Sequence, residues 1–146
     1  MTVRPADAVP STLLQVAGGL LALAGFFAAA VAVQFLMWWT LPPAATGACT
    51  LMLVGGLTTL GTAWFVADGR TPAVATGVIL AAALTAGSSL WALWALANLS
   101  FTLFMFVTPV LAGWSTVLLP FTIPAAQRCT QARATFPQGP FGLAGS

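Results

Sequence analysis

Four apolar runs without a single charge, each longer than 20 residues, constrain this chain more than any other feature. They cover residues 13–39, 45–66, 73–96 and 101–125. A transmembrane helix needs about 20 predominantly apolar residues to cross about 30 Å of hydrocarbon, whereas a typical strand has about five or six residues. The runs therefore predict an all-α fold, an integral membrane four-helix bundle that forms a single domain over residues 1–146.

The breaks between the runs are marked by residues that end helices. Pro42 and Pro43 follow the first run, Asp68 and Gly69 open a polar turn after the second, and residues 98–100 separate the third from the fourth. The first run follows Arg4 like a secretory signal, but it is longer than a typical signal core, so we expect a retained helix. Residues 126–146 are predicted to form a cytoplasmic tail.

All six charged residues fall outside the runs. They are Arg4 and Asp7 before the first run, Asp68 and Arg70 between the second and third, and Arg128 and Arg133 after the fourth. In a four-span chain these three places share one side, and the opposite connections, 40–44 and 98–100, are uncharged. The positive-inside rule then predicts an N-in/C-in topology with both termini cytoplasmic. Abundant Ala and Gly, with Arg as the sole basic residue type and no Lys, suit a GC-rich bacterial genome, which predicts a bacterial inner (cell) membrane.

The inventory of reactive side chains is nearly empty. The chain has four Arg and two Asp and contains no Lys, Glu, His or Tyr. General acid–base catalysis and metal binding draw mainly on the missing types, so we expect no enzyme activity and no catalytic, cofactor-binding or metal site. Four Arg spread over three segments do not form a nucleic-acid surface, which predicts no nucleic-acid partner.

Small residues recur along three of the runs at the spacing of one helix face. Helices in lipid associate through close backbone approach, so their contact faces favour Gly, Ala, Ser and Thr. The predicted packing residues are Gly18, Ala22, Gly25 and Ala29 in the first run, Gly55 and Thr59 in the second, and Gly77, Ala81, Thr85 and Ser89 in the third. The same faces serve contacts within the chain or with another subunit, and both interpretations stay open.

Tryptophan residues gather near the ends of the runs. The predicted interfacial anchors are Trp38, Trp39, Trp64, Trp91 and Trp94. Tryptophan is enriched at both membrane–water interfaces, which favours an anchoring belt. The alternative is a ring of aromatic side chains around an external ligand.

The two cysteines lie near opposite ends of the predicted helices. Cys49 begins the second run on the outer side, and Cys129 follows the fourth run on the inner side. The hydrocarbon thickness exceeds the span of a disulfide, so we expect no bond between them. Cys129, beside Arg128 just past a membrane helix, is a candidate lipidation site.

Three prolines distinguish the fourth run. Pro109, Pro120 and Pro124 each remove a backbone donor, which predicts a kinked or broken helix. Neighbouring hydroxyls are expected to satisfy the freed carbonyls: Thr108, Ser115, Thr116 and Thr122. A moving hinge and a static bend are the two interpretations, and the lack of a nearby charge favours the static bend.

Two functions remain after these exclusions. The first is a non-catalytic accessory or structural subunit of a larger membrane complex, respiratory or photosynthetic, with membrane lipids and other integral membrane subunits as partners. The alternative is a homo-oligomeric channel or transporter for a small neutral solute, lined by hydroxyls: Thr58, Thr62, Thr85, Ser88 and Ser89. No cofactor is required, although a lipid, a quinone or a carotenoid-type pigment fits between such helices.

Overall fold

Four long helices account for most of the chain. The computed structural model describes residues 2–38, 40–98 and 103–136. The helices are α1 (Thr12–Trp38), α2 (Pro43–Ala67), α3 (Thr71–Ala97) and α4 (Phe104–Thr135). Over the described ranges there is no strand, and each helix is long and apolar enough to cross a membrane. The predicted all-α four-helix bundle is confirmed.

Prolines and one glycine set the helix ends. Pro43 is the first residue of α2 and Pro72 the second of α3, where a backbone N–H has no partner within the helix. At the end of α2, Gly69 adopts a left-handed φ of 81°. Its N–H donates to Val66 O at 2.9 Å, and the next N–H donates to Phe65 O at 3.2 Å. This Schellman motif satisfies the last carbonyls and turns the chain into α3.

The helices pack as a ring in which α1 is the most enclosed. The closest pairs are α1 with α2 and α3 with α4, α4 also packs along α1, and α2 contacts α3 less extensively. Fully buried side chains from all four helices meet between them: Leu14, Leu21, Val66, Val74 and Leu119. A short 3-10 helix, Pro5–Ala8, precedes α1 and packs on α4, and we call it the N-terminal turn.

Glycines bring the backbones of α1 and α2 into direct contact. A Cβ atom added to Gly25 would lie 2.6 Å from Gly56 O, and one added to Gly56 would lie 2.7 Å from Gly25 O. At Gly18 an added Cβ would lie 2.9 Å from the Ala67 Cβ. No larger residue fits these positions without moving backbone atoms.

Two pairs of threonines show how α3 runs beside α4. The hydroxyl oxygens of Thr71 and Thr130 are 3.1 Å apart, and those of Thr85 and Thr116 are 3.4 Å apart. Fourteen residues separate the two threonines of each helix, so α3 and α4 are antiparallel and stay in register. Gly77 of α3 leaves room for Leu21, whose Cδ2 would lie 3.2 Å from an added Cβ.

The fourth helix extends beyond its predicted end. We expected a helix over residues 101–125 and a tail over 126–146, but α4 continues to Thr135. The segment after residue 125 is rich in Gln, Arg and Ala, which are good helix formers. Their inner face is buried, with Ala126, Cys129 and Ala132 at most 1% exposed. The rest of the predicted tail, 137–146, lies outside the described residues.

The three prolines do not break α4, which is one continuous helix. Ser115 and Thr116 donate to the carbonyls four residues earlier, at 2.9 and 2.8 Å, and Thr122 donates to Leu119 O at 2.7 Å. A proline leaves without a donor the carbonyl four residues before it, and none of these three acceptors is such a carbonyl. The expectation that these three hydroxyls satisfy the freed carbonyls was therefore wrong.

Three segments meet at the charged end of the bundle around Arg133. Its Nη1 and Nη2 atoms donate to Oδ2 and Oδ1 of Asp68, both at 3.2 Å, and its Nε donates to Ala8 O at 3.2 Å. Cys129 Sγ donates to the same Ala8 oxygen at 3.4 Å. We call Arg133, Asp68 and Ala8 the terminal clamp, because they join α4 to the N-terminal turn and to the α2–α3 turn.

The terminal clamp shifts the pKa of Asp68. Hydrogen bonding by Arg133 is the main cause of a pKa of Asp68 below its usual value. Partial burial opposes this effect, and a bond of 3.1 Å from Arg70 Nε adds to it. The carboxylate therefore remains ionised at a lower pH in the folded protein than in the unfolded chain.

Gly25→Leu is expected to destabilise the bundle. Its side chain must displace the α2 backbone, and overpacking of this kind costs about 1–3 kcal/mol or more. Thermal unfolding in detergent micelles should show a lower midpoint for this variant. Gly19→Leu is the matched control in the same helix, because an added Cβ there meets no described atom within 4 Å. Equal midpoints for the two variants would contradict the backbone contact.

Asp68→Asn is expected to remove a pH-dependent part of the stability. A carboxylate with a lowered folded pKa stabilises fully above the unfolded pKa, about 3.9, and this contribution is lost as pH falls through the folded pKa. The Asp68 side chain is 37% exposed, so at pH 7 we expect a loss of about 1 kcal/mol or less. Wild type and variant should converge in acid. A difference in unfolding free energy that persists unchanged at pH 2–3 would refute this assignment.

Candidate functional site

The predicted packing residues fall into two groups by exposure. Gly18, Gly25, Thr59, Gly77 and Ala81 are buried, whereas Ala22, Ala29, Gly55, Thr85 and Ser89 are half-buried. Gly18 and Gly25 face α2, and Gly77 faces the bundle centre between Leu21, Val66 and Leu119.

The α2 residue that meets Gly25 is Gly56, which the sequence analysis missed. Gly55 points elsewhere, since an added Cβ would meet only the Leu84 Cδ2 of α3, at 3.7 Å. Adjacent residues lie about 100° apart on a helix, so one of two consecutive glycines faces α1 and the other faces α3. The pair Gly55-Gly56 in the sequence is itself the signal that two faces of α2 are in use.

The predicted interfacial tryptophans differ widely in the exposed fraction of their side chains. Trp38 is 80% exposed and Trp64 is 78% exposed, as anchors would be, and Trp94 is 37% exposed. Trp91 is only 8% exposed, because its side chain packs against Phe35 of α1, and its role as an interfacial anchor stays a prediction. Trp39 lies outside the described residues.

Cys129 is not placed for lipidation. It is 1% exposed, and an added Cβ on Gly69 would lie 3.0 Å from its sulfur. An acyl-transfer reaction needs an accessible thiol, so the candidate site is corrected to a packing residue. Cys49 is buried as well, and both thiols are free.

The hydroxyls proposed as a pore lining do not face a common space within the chain. Thr58 is exposed on α2, and Thr85 contacts α4. Thr58, Thr62, Thr85 and Ser88 each donate to the carbonyl four residues earlier in their own helix. Such bonds satisfy a hydroxyl locally and require no water-filled path.

A cavity of about 570 Å³ lies between α2 and α3 in the half of the bundle away from the charged residues. It runs from Ala44 to Gly55 along α2 and from Trp94 to Leu80 along α3. At a rise of about 1.5 Å per residue it is roughly 20 Å long. We call it the α2–α3 groove. Most of its lining is apolar, and Ser88, whose hydroxyl is bonded within α3, is one of its few polar side chains.

Small residues create the groove. Ala44, Ala48 and Gly55 line the α2 side, and Ala83 and Gly87 line the α3 side. An added Cβ on Gly87 meets nothing in the described chain within 4 Å. The groove is therefore open where a larger side chain would close it.

Trp91, which lines the groove, has an unused donor. Its ring meets Phe35 edge-on, with centroids 5.3 Å apart, and stacks on Trp94 at 4.9 Å. Its Nε1 atom is buried and has no hydrogen-bond partner among the described residues. Thr108 Oγ1 is also buried without a hydrogen-bond partner among the described residues, but Thr108 is fully buried and does not line the groove. Leaving a buried donor unpaired costs about 1–3 kcal/mol of folding free energy.

The α2–α3 groove lies far from the charged side chains of the chain. The described ranges contain no cluster of three His, Cys, Asp or Glu side chains that could hold a metal ion. Both carboxylates lie at the other end of the molecule, where Asp7 accepts from Arg4 N at 2.9 Å and Asp68 is held in the clamp. A groove with this lining can hold an apolar group.

No protein-family model matches the chain, and neither a curated protein nor a solved structure matches it.

Proposed function

We propose that this protein is a non-catalytic integral membrane subunit whose outward helix faces bind helices of a larger complex. The observation that carries the proposal is a contrast between two sets of its helical glycines. One set is closed by neighbouring helices within the chain: Gly18, Gly25, Gly56 and Gly77. In the other set, an added Cβ meets nothing within 4 Å in the described part of the chain: Gly19, Gly47, Gly61 and Gly87.

Exposed glycines inside helices need a reason. Each costs about 1 kcal/mol relative to alanine in helix propensity. In lipid, a bare backbone gains contact only when another helix approaches closely, which is how small residues drive association. The closed set does this within the chain, and the open set offers the same chemistry to a second protein.

The open set is best organised on α2. Gly47, Val54, Thr58 and Gly61 are all exposed and lie within about 60° of one another around the helix axis. Thr58 donates to Val54 O at 2.7 Å, so its hydroxyl is satisfied within α2 and presents a small surface. We call these four residues the outer face of α2, and we propose that it binds one transmembrane helix of a different subunit.

The charged end supports an orientation for this subunit. Arg133, Asp68 and the N-terminal turn form one cluster, so the N-terminal segment and the C-terminal end of α4 lie at the same end of the bundle. Arg70 and Arg128 belong to segments that meet there. By the positive-inside rule we propose that this end is cytoplasmic, in a bacterial inner membrane.

Gly61→Leu is expected to weaken assembly without weakening the fold. The added side chain keeps a partner helix from approaching α2, but it displaces nothing within this chain. Mild solubilisation of native membranes, native electrophoresis and mass spectrometry should find wild type with larger subunits and the variant in a smaller species. The detergent unfolding midpoint should not change. Ala82→Leu, at an exposed position of α3, is the control and should assemble normally.

Two results would overturn this function. The first is a complex that stays intact with Gly61→Leu. The second is a wild-type protein that migrates only as a homo-oligomer and conducts a neutral solute in liposomes, which is the behaviour of a channel.

A further inference from the structure

Arg70, in the turn between α2 and α3, uses only part of its hydrogen-bonding capacity. Its Nε atom donates to Asp68 Oδ2 at 3.1 Å, but both oxygens of that carboxylate also accept bonds from Arg133. The two Nη groups of Arg70 have no hydrogen-bond partner among the described residues. The side chain is 59% exposed, so these donors are accessible from outside the bundle. A guanidinium fork matches a phosphate as well as a carboxylate, and Arg70 can therefore bind a second anion.

Two contacts hold the Arg70 guanidinium beside the last turn of α2. Its Nε bond to Asp68 fixes one edge, and its Cζ atom lies 5.1 Å from the centroid of the Phe65 ring. A cation over the face of an aromatic ring is attracted by the ring quadrupole. Phe65 and its neighbour Trp64 are both exposed on α2. The guanidinium therefore lies next to an apolar surface that faces lipid when the helices span a membrane.

The length of α2 places this guanidinium at the level of the lipid headgroups. α2 has 25 residues, about 37 Å, so a centred helix extends about 3–4 Å past a hydrocarbon core of about 30 Å at each end. Phe65 is two residues before the end of α2, and its Cα atom therefore lies near the hydrocarbon boundary. Arg70 follows the end of the helix, in the polar layer of roughly 5–7 Å that contains the phosphates.

The charge balance at this end of the bundle favours an anionic headgroup. The chain has four Arg and two Asp, a net charge of +2, and all six belong to segments at this end. Asp68 is already shared by two arginines, and Asp7 accepts a bond from Arg4 N. A zwitterionic headgroup balances its phosphate with its own ammonium, whereas an anionic headgroup brings an uncompensated negative charge. Arginines near the membrane surface attract such lipids.

We propose that the Nη groups of Arg70 bind the phosphate of an anionic diacyl glycerophospholipid, whose acyl chains enter the hydrocarbon beside the last turn of α2. Asp68 and Phe65 are positioning residues, because they hold the guanidinium at this depth without occupying its Nη groups. The inference rests on the membrane setting of the proposed function and is independent of the role as a subunit.

The test compares two lipids with the same acyl chains and different headgroup charge. Dioleoyl phosphatidylglycerol, which is anionic, and dioleoyl phosphatidylcholine, which is zwitterionic, are added separately to delipidated full-length protein, and native mass spectrometry measures retention. Wild type should retain one phosphatidylglycerol molecule about fivefold more tightly than phosphatidylcholine, the effect of one arginine at an anionic surface. Equal retention of the two lipids would overturn the selection of an anionic headgroup.

Arg70→Gln and Arg128→Gln are a matched pair, because each removes one positive charge from the same end of the bundle. Thr130 of α4 faces Gly69, and a residue two positions earlier on a helix points about 160° away, so Arg128 faces away from the α2–α3 turn. Arg70→Gln should abolish the preference for phosphatidylglycerol, and Arg128→Gln should keep most of it. Equal losses in the two variants would indicate an effect of net charge alone and overturn Arg70 as the site.

The fold should tolerate Arg70→Gln. Asp68 keeps both of its bonds from Arg133, so the unfolding midpoint in detergent should stay near that of wild type. Arg70→Lys keeps the charge without the planar fork, and it should retain part of the preference for phosphatidylglycerol. A complete loss of the preference in Arg70→Lys, with the midpoint lowered in both Arg70 variants, would assign Arg70 a structural role and overturn the binding site.

Two further measurements distinguish the lipid from other partners. Inorganic phosphate titrated into delipidated protein at constant ionic strength should not bind, and saturable binding that is lost in Arg70→Gln would replace the lipid by a free anion. Native electrophoresis of solubilised membranes should find Arg70→Gln in the same complex as wild type. Loss of the complex in that variant would assign Arg70 to a protein contact and overturn the lipid as its partner.

Gly47→Leu separates this inference from the proposed function. Gly47 belongs to the outer face of α2 and lies in the first turns of that helix, at the end away from Arg70. The variant should weaken assembly with other subunits and leave the preference for phosphatidylglycerol unchanged, whereas Arg70→Gln should do the reverse. Failure of one proposal is therefore distinguishable from failure of the other.

Discussion

The direct contact between the backbones of Gly25 and Gly56 is the interaction on which the rest of the bundle depends. Helices as apolar as these gain little from exchanging lipid for another apolar surface, so their packing relies on how closely the backbones approach. Because each glycine would place a Cβ within 3 Å of the other's carbonyl oxygen, α1 and α2 are joined more tightly than any side-chain contact allows. This contact also sets the rotation of α2. With Gly56 facing α1, Gly55 must face α3, and Gly47 and Gly61 are left outside.

The charged residues, in contrast, connect the chain only at one end of the bundle. Arg133 donates to Asp68 and to Ala8, so a single guanidinium joins segments far apart in the sequence. The planar guanidinium donates two parallel bonds to the carboxylate and a third to the nearby carbonyl, a geometry that a lysine ammonium does not provide. Six charges are enough for this arrangement because the parts of the chain that carry them converge. The charged side chains are few, and they lie together at one end of the bundle.

The sequence was informative where one physical requirement acts on one kind of residue. Length and apolarity predict four helices, and the closest small-residue contacts in α1 are Gly18 and Gly25, both in the predicted stripe. The sequence was uninformative where two adjacent residues are equally suited to the same contact. Gly55 and Gly56 are equivalent in any periodicity, and only the rotation of α2 distinguishes them. Position along a helix likewise does not reveal that the Trp91 ring faces Phe35. The end of α4 was missed because polar residues mark a membrane boundary without ending a helix.

The α2–α3 groove follows from how α2 and α3 are held. At the charged end they are joined by a turn of three residues, where Gly69 packs on Cys129. Away from that turn each helix has a different preferred neighbour, since α2 is drawn to α1 through Gly56, and α3 stays in register with α4 through Thr85 and Thr116. Two helices joined at one end and attracted to different partners at the other must separate unless large side chains fill the space between them. Alanine and glycine occupy those positions instead, so the gap stays open, and in lipid such a gap is filled by an acyl chain or by another helix.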